Sequence, residues 1–85
     1  NAFTPNSDGL NDVFRPTPVG ILHLSYCRVF NRFGELMFET SETGKGWNGM
    51  YKGIKQEPGN YVWMLKGTDR KHETIVMKGN VVLVR

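Results

Sequence analysis

The chain has 85 residues, a net charge of +3 and a pI near 9.3, with ten Gly, four Pro and 12% aromatic residues. That length allows one domain and no more. It excludes a large buried core, so large side chains must carry the packing. Gly and Pro recur too often for long helices, and no apolar run reaches the length of a membrane span. The cationic residues are scattered, with none of the basic, aromatic-interleaved faces that nucleic acid requires. Cys27 stands alone, so no internal disulfide forms.

Several short runs rich in β-branched and aromatic residues alternate with turn signals. The fold class is therefore all-β, and about seven strands in an immunoglobulin-like β-sandwich are the default for such a pattern. Ala2 to Thr4 reads as a first strand ended by Pro5. The polar stretch Asn6-Ser7-Asp8-Gly9-Leu10-Asn11-Asp12 follows. It fits the middle of a calcium loop, with Asn6, Asp8, the Leu10 carbonyl and Asp12 as ligands. Two strong ligand positions are missing, since Thr4 holds the first and Arg15 stands where a closing Glu belongs. The competing reading is an Asx-rich turn whose side chains bond their own backbone. Pro16 and Pro18 then make an edge or a connection.

Ile21 to Asn31 is strand-like, with Cys27 and Val29 on one face and Leu24, Tyr26, Arg28 and Phe30 on the other. Cys27 is then a small buried apolar residue. Asn31-Arg32-Phe33-Gly34 is a tight turn between two apolar runs, because Gly34 takes positive φ without steric cost. The segment from Leu36 begins the returning strand. Thr40 to Gly46 is loop, and Gly46-Trp47-Asn48-Gly49 is a turn built around one large aromatic. Met50-Tyr51-Lys52-Gly53 adds a short strand, and Glu57-Pro58-Gly59 is a strong turn. From Asn60 to Lys66 both faces are largely apolar, as expected of a central strand or one covered by an outer partner. Thr68 to Lys71 is a hairpin loop. Thr74–Met77 and Val81–Val84 form the last strand or pair of strands, with Lys78-Gly79 read as a bulge.

Neither His23 nor His72 has metal-ligand spacing with Cys27. No Ser sits in a nucleophile elbow. No acid, base and nucleophile come together in the sequence, and the chain reads as a non-enzyme. Trp47, Tyr51, Tyr61 and Trp63 suit a sandwich core, or else a platform for sugar rings in an accessory carbohydrate-binding module.

Five phrases carry a resemblance. Phe3-Thr4-Pro5-Asn6-Ser7-Asp8-Gly9-Leu10-Asn11-Asp12-Val13-Phe14 resembles the FTPNGDGxND-x-F opening of the gliding-motility-associated C-terminal domains, with Ser7 for Gly. Phe30 to Glu35 resembles their FNRWGE, with Phe33 for Trp. Gly46 to Gly49 resembles GWDG, with Asn48 for Asp. Pro58-Gly59-Asn60-Tyr61 and the closing Lys78 to Arg85 follow in order.

The resemblance implies a type B sorting domain of the type IX secretion system. On that reading residues 1–85 are a single C-terminal sorting domain of a larger surface protein, such as an adhesin, and Arg85 lies at or near its end. The domain is non-catalytic and probes no nucleic acid. It passes through the periplasm, directs its cargo across the outer membrane to the cell surface or beyond, and works as a monomer. Its partners are the translocon and an outer-membrane barrel of the PorP/SprF type. Two docking surfaces are predicted on physical grounds. One is the hairpin tip Asn31, Arg32, Phe33 and Gly34, since exposed aromatic and Arg residues anchor interfaces. The other is an open edge formed by the last strand, Val81, Val82, Leu83, Val84 and Arg85, available for strand addition.

Overall fold

The computed structural model describes residues 2–5, 12–16 and 20–85. The described residues form an all-β fold of seven strands. These are β1 (Ala2–Phe3), β2 (His23–Phe30), β3 (Leu36–Thr40), β4 (Met50–Tyr51), β5 (Ile54–Lys55), β6 (Gly59–Thr68) and β7 (Thr74–Leu83). Five of them make one mixed sheet in the order β1-β7-β6-β2-β3, and β4 and β5 pair as a small separate ribbon. The sandwich expected from the turn pattern thus has unequal layers.

Strand alternation builds the core. Opposed residues in a ladder share a face, so Cys27, Val29, Tyr61, Leu65, Val81, Leu83 and Phe3 all point to one side, where they are buried. Trp47 closes that side from above, its ring 4.8 Å from Tyr61 and 5.6 Å from Phe3. A two-way backbone bridge ties Trp47 to Phe14, with N–H···O distances of 2.8 and 2.9 Å. The indole N–H of Trp47 donates to the Met50 carbonyl at 2.9 Å, which holds β4 against the same cluster. Trp47 and Tyr61 are therefore core residues, and Tyr51 and Trp63 pack beside them. No sugar platform is formed by these four rings.

The sheet's other face stays open. Phe30, Leu36, Val62, Met64, Val76 and Val82 lie there beside Lys66 and Lys78, which explains why β6 reads as apolar on both sides. Arg28 crosses this face, stacked on Tyr26 and paired with Glu39 of β3.

Two readings of the sequence need correction. The sequence predicts a bulge at Lys78-Gly79, but β7 runs in unbroken register with β6 from Thr74 to Leu83. Gly79 is there because Trp63 lies flat against it. A Cβ at that position would stand 2.9 Å from the ring. The irregularities fall in β2 instead, at Leu24/Tyr26 against β6 and at Val29/Phe30 against β3. The second correction concerns the edge. The last strand is not free at Val81–Arg85, because β1 pairs with it in parallel at Val82 and Leu83.

Cys27 is buried as expected. Burial pushes its thiol above the ordinary value, because the thiolate loses solvation. The folded chain thus holds this proton more tightly than the unfolded chain. The group's contribution to stability is full below the ordinary thiol pKa of about 8.5 and is lost as pH rises above it. A thiol reagent at pH 8 is expected to label Cys27 at least roughly 100-fold faster in denaturing urea than in the native protein, since labelling requires local opening. Equal rates would contradict the burial.

Candidate docking site at the hairpin tip

The β2–β3 turn is fixed by its own first residue. The Asn31 side-chain carbonyl accepts from the backbone N–H groups of Phe33 and Glu35, each at 2.9 Å, and its amide donates to the Glu35 carboxylate at 2.9 Å. Backbone bonds Asn31 N–H to Glu35 O and Gly34 N–H to Asn31 O, both 3.0 Å, close the loop. Gly34 takes the left-handed conformation, φ 81°, that this closure requires. The β6–β7 turn uses the same device. There Asp69 accepts from Lys71 and Glu73, and His72 occupies the left-handed position.

This bonding leaves the side chains of Arg32 and Phe33 at the tip with no part in holding the turn. Phe33 is 73% exposed, and the Arg32 guanidinium sits 4.9 Å from its ring centroid. A large ring held in water on a rigid turn is the kind of side chain that anchors interfaces.

Facing the tip is a second wall that the sequence reading did not connect to it. A groove of about 510 Å³ runs between Asn31, Arg32, Phe33 and Glu35 on one side and the segment 54–60 on the other, with Tyr61 between them. Ile54, 66% exposed on the β4–β5 ribbon, supplies a second apolar contact there. Arg32 and Lys55 are balanced by Glu35 and Glu57. The Tyr61 hydroxyl donates to the Glu57 carbonyl at 2.6 Å and so pins the Glu57-Pro58-Gly59 turn. Burial, and then the Glu57 carboxylate, push the Tyr61 phenol up, while Arg85 and Arg32 pull it down.

The structure divides the second predicted surface. Val81 and Leu83 are buried in the core, while Val82 and Val84 are exposed. Arg85 is committed to the groove's far wall. Its Nε donates to the Gln56 carbonyl at 2.9 Å and its Nη2 to the Gly49 carbonyl at 2.8 Å. It holds the loop that carries Ile54 and is a positioning residue there. Of the calcium ligands read from the sequence, Asn6, Asp8 and Leu10 lie outside the described residues. Asp12, which is described, is half-buried. No helix among the described residues is long and apolar enough to cross a membrane.

Compared with models of known families, the chain matches the CHU_C type IX secretion signal domain over residues 1–83. The chain belongs to this family. Compared with curated proteins, it has no match. The match spans every strand of the fold, so the signal domain's sheet, its Trp47 cluster and its hairpin tip all fall within the family region. Its role is that of a secretion signal. A signal of this type implies interaction with the secretion machinery and export to the cell surface or the extracellular space. The groove at the hairpin tip sets one exposed aromatic ring, Phe33, beside cations and carboxylates.

Proposed function

We propose that this signal domain is the C-terminal domain of a larger surface protein. It directs that passenger across the outer membrane and on to attachment at the cell surface. The groove between Asn31–Glu35 and Ile54–Asn60 docks on the type IX translocon, including its PorP/SprF-type barrel. The observation that carries the docking reading is Phe33, a large ring exposed on a turn that its neighbours hold rigid. Because the turn is already organised, little ordering entropy is lost on binding. The domain acts as a monomer and catalyses nothing.

The test is export of a fluorescent passenger fused ahead of residues 1–85, in a host with an intact type IX system and the cognate barrel. Surface fluorescence is the expected result. A folded fusion that stays inside a competent host would overturn the reading. Truncating Val81–Arg85 is a poor control, because it removes Val81 and Leu83 from the core and so tests folding.

A further inference from the structure

The two edges of the main sheet are unlike. β3 is five residues long and lies beside the bulge in β2, features that discourage further pairing. β7 is ten residues long, unbroken, free of Pro, and carries only Lys78 as a charge between Thr74 and Asn80. Among the described residues, no strand pairs with the outer side of Thr74–Val81; β1 covers only Val82 and Leu83. The bond from the Val84 N–H to the Phe3 carbonyl, 2.9 Å, sets which groups point outward. Alternate residues share a direction, so Val76, Lys78 and Asn80 present their N–H and C=O groups to this free edge.

The direction of β1 says what fits there. It runs parallel to β7, with Ala2 opposite Val82 and Phe3 opposite Leu83. Polypeptide leading into Ala2 therefore approaches along the free edge itself, passing Ile75 before Asn80. The core side of that edge also holds unfilled space. A cavity of about 390 Å³ is lined by Ala2, Phe14, Trp63, Leu65 and Met77, with Arg15 and Pro16 completing its wall.

We propose that the segment joining the passenger to this chain extends β1 along β7 as far as Ile75, in the parallel register already set by β1. The inference rests on the reading of an attached passenger given above. In that register the third and fifth residues ahead of Ala2 fall opposite Gly79 and Met77. Both positions lie on the core side, beside the cavity, and both are expected to be apolar. Backbone pairing supplies the attachment, and the cavity selects the side chains, as in other cases of strand addition. The connecting segment then becomes part of the sheet and not a loose tether.

Hydrogen exchange on the intact passenger-bearing protein tests this. The amides of Val76, Lys78 and Asn80 are expected to exchange at least about 100-fold more slowly than in a variant whose residues ahead of Asn1 are replaced by a Gly-Ser linker. Fast exchange in the intact protein overturns the proposal. So does protection that survives the linker replacement, since another segment would then cover the edge. Export is scored on the same proteins. Export with an unprotected edge removes the added strand and leaves the secretion reading standing. A protected edge without export removes the secretion reading and leaves the strand.

Discussion

The variant Trp47→Ala is expected to lose about 3–5 kcal/mol of stability, the range for deleting a large buried aromatic. A chain of this length has a total of roughly 4–13 kcal/mol, so a large share of its stability would go with one side chain. Trp47 is 1% exposed and lies at the junction of four parts of the chain. Its ring meets Phe3 of β1 and Tyr61 of β6, its backbone bridges Phe14, and its indole N–H holds Met50. Deleting it opens a cavity that rigid strands cannot collapse to fill, and leaves the Met50 carbonyl without its donor. The variant Trp47→Phe keeps most of the ring contact and loses the indole bond, so it is expected to cost about 1–2 kcal/mol. Urea denaturation followed by the fluorescence of Trp63 measures both. An unchanged midpoint for Trp47→Ala would show that the second layer contributes nothing to the fold. Export is expected to fail in this variant, because the docking groove depends on β4 and β5 being held in place.

The long strands were legible because their signals are local. The alternation of Cys27 and Val29 with Tyr26, Arg28 and Phe30 sets the faces of β2. The two apolar faces of β6 follow from its central place between β7 and β2, with one side on the core and the other on an open face. The Asn31–Gly34 turn was legible too, since Asn and Gly each supply what a tight loop needs within a few residues. What escaped was non-local. Gly79 looks like a bulge in sequence, and only the ring of Trp63 across the ladder explains it. That the end of the last strand is covered depends on β1, some eighty residues earlier in the chain. β5 is two residues between turns, too short to show any period.

The candidate site shows the same division. Arg32 and Phe33 stand out in the sequence as an exposed pair at a turn, but Ile54, Glu57 and Pro58 do not announce themselves as their neighbours. Arg85 helps to hold the second wall in place by binding the carbonyls of Gly49 and Gln56. That arrangement changes the meaning of the chain's last residues. Val81 and Leu83 serve the core, and Arg85 shapes the groove from behind.

The double variant Arg32→Ala, Phe33→Ala is expected to reduce surface display of a fused passenger by at least about 30-fold, the equivalent of losing one interface hot spot of about 2 kcal/mol. Stability should change by less than about 0.5 kcal/mol, as for other surface substitutions. The reason lies in the division of labour at the turn, where Asn31 and Gly34 hold the backbone and the two tip side chains take no part. Three further variants separate the causes. Arg32→Lys keeps the charge but not the planar group stacked on Phe33, so a partial loss points to the stacked pair and no loss points to charge alone. Phe33→Trp keeps a flat ring in the position where the family phrase carries Trp, and display is expected to be retained. Ile54→Ser removes the apolar contact on the opposite wall and is expected to lower display as well, if the proposed partner engages both walls of the groove. Full display of the double variant, with its melting transition unchanged, would place recognition elsewhere on the sheet. Loss confined to the tip, with Ile54→Ser normal, would reduce the docking surface to the hairpin alone.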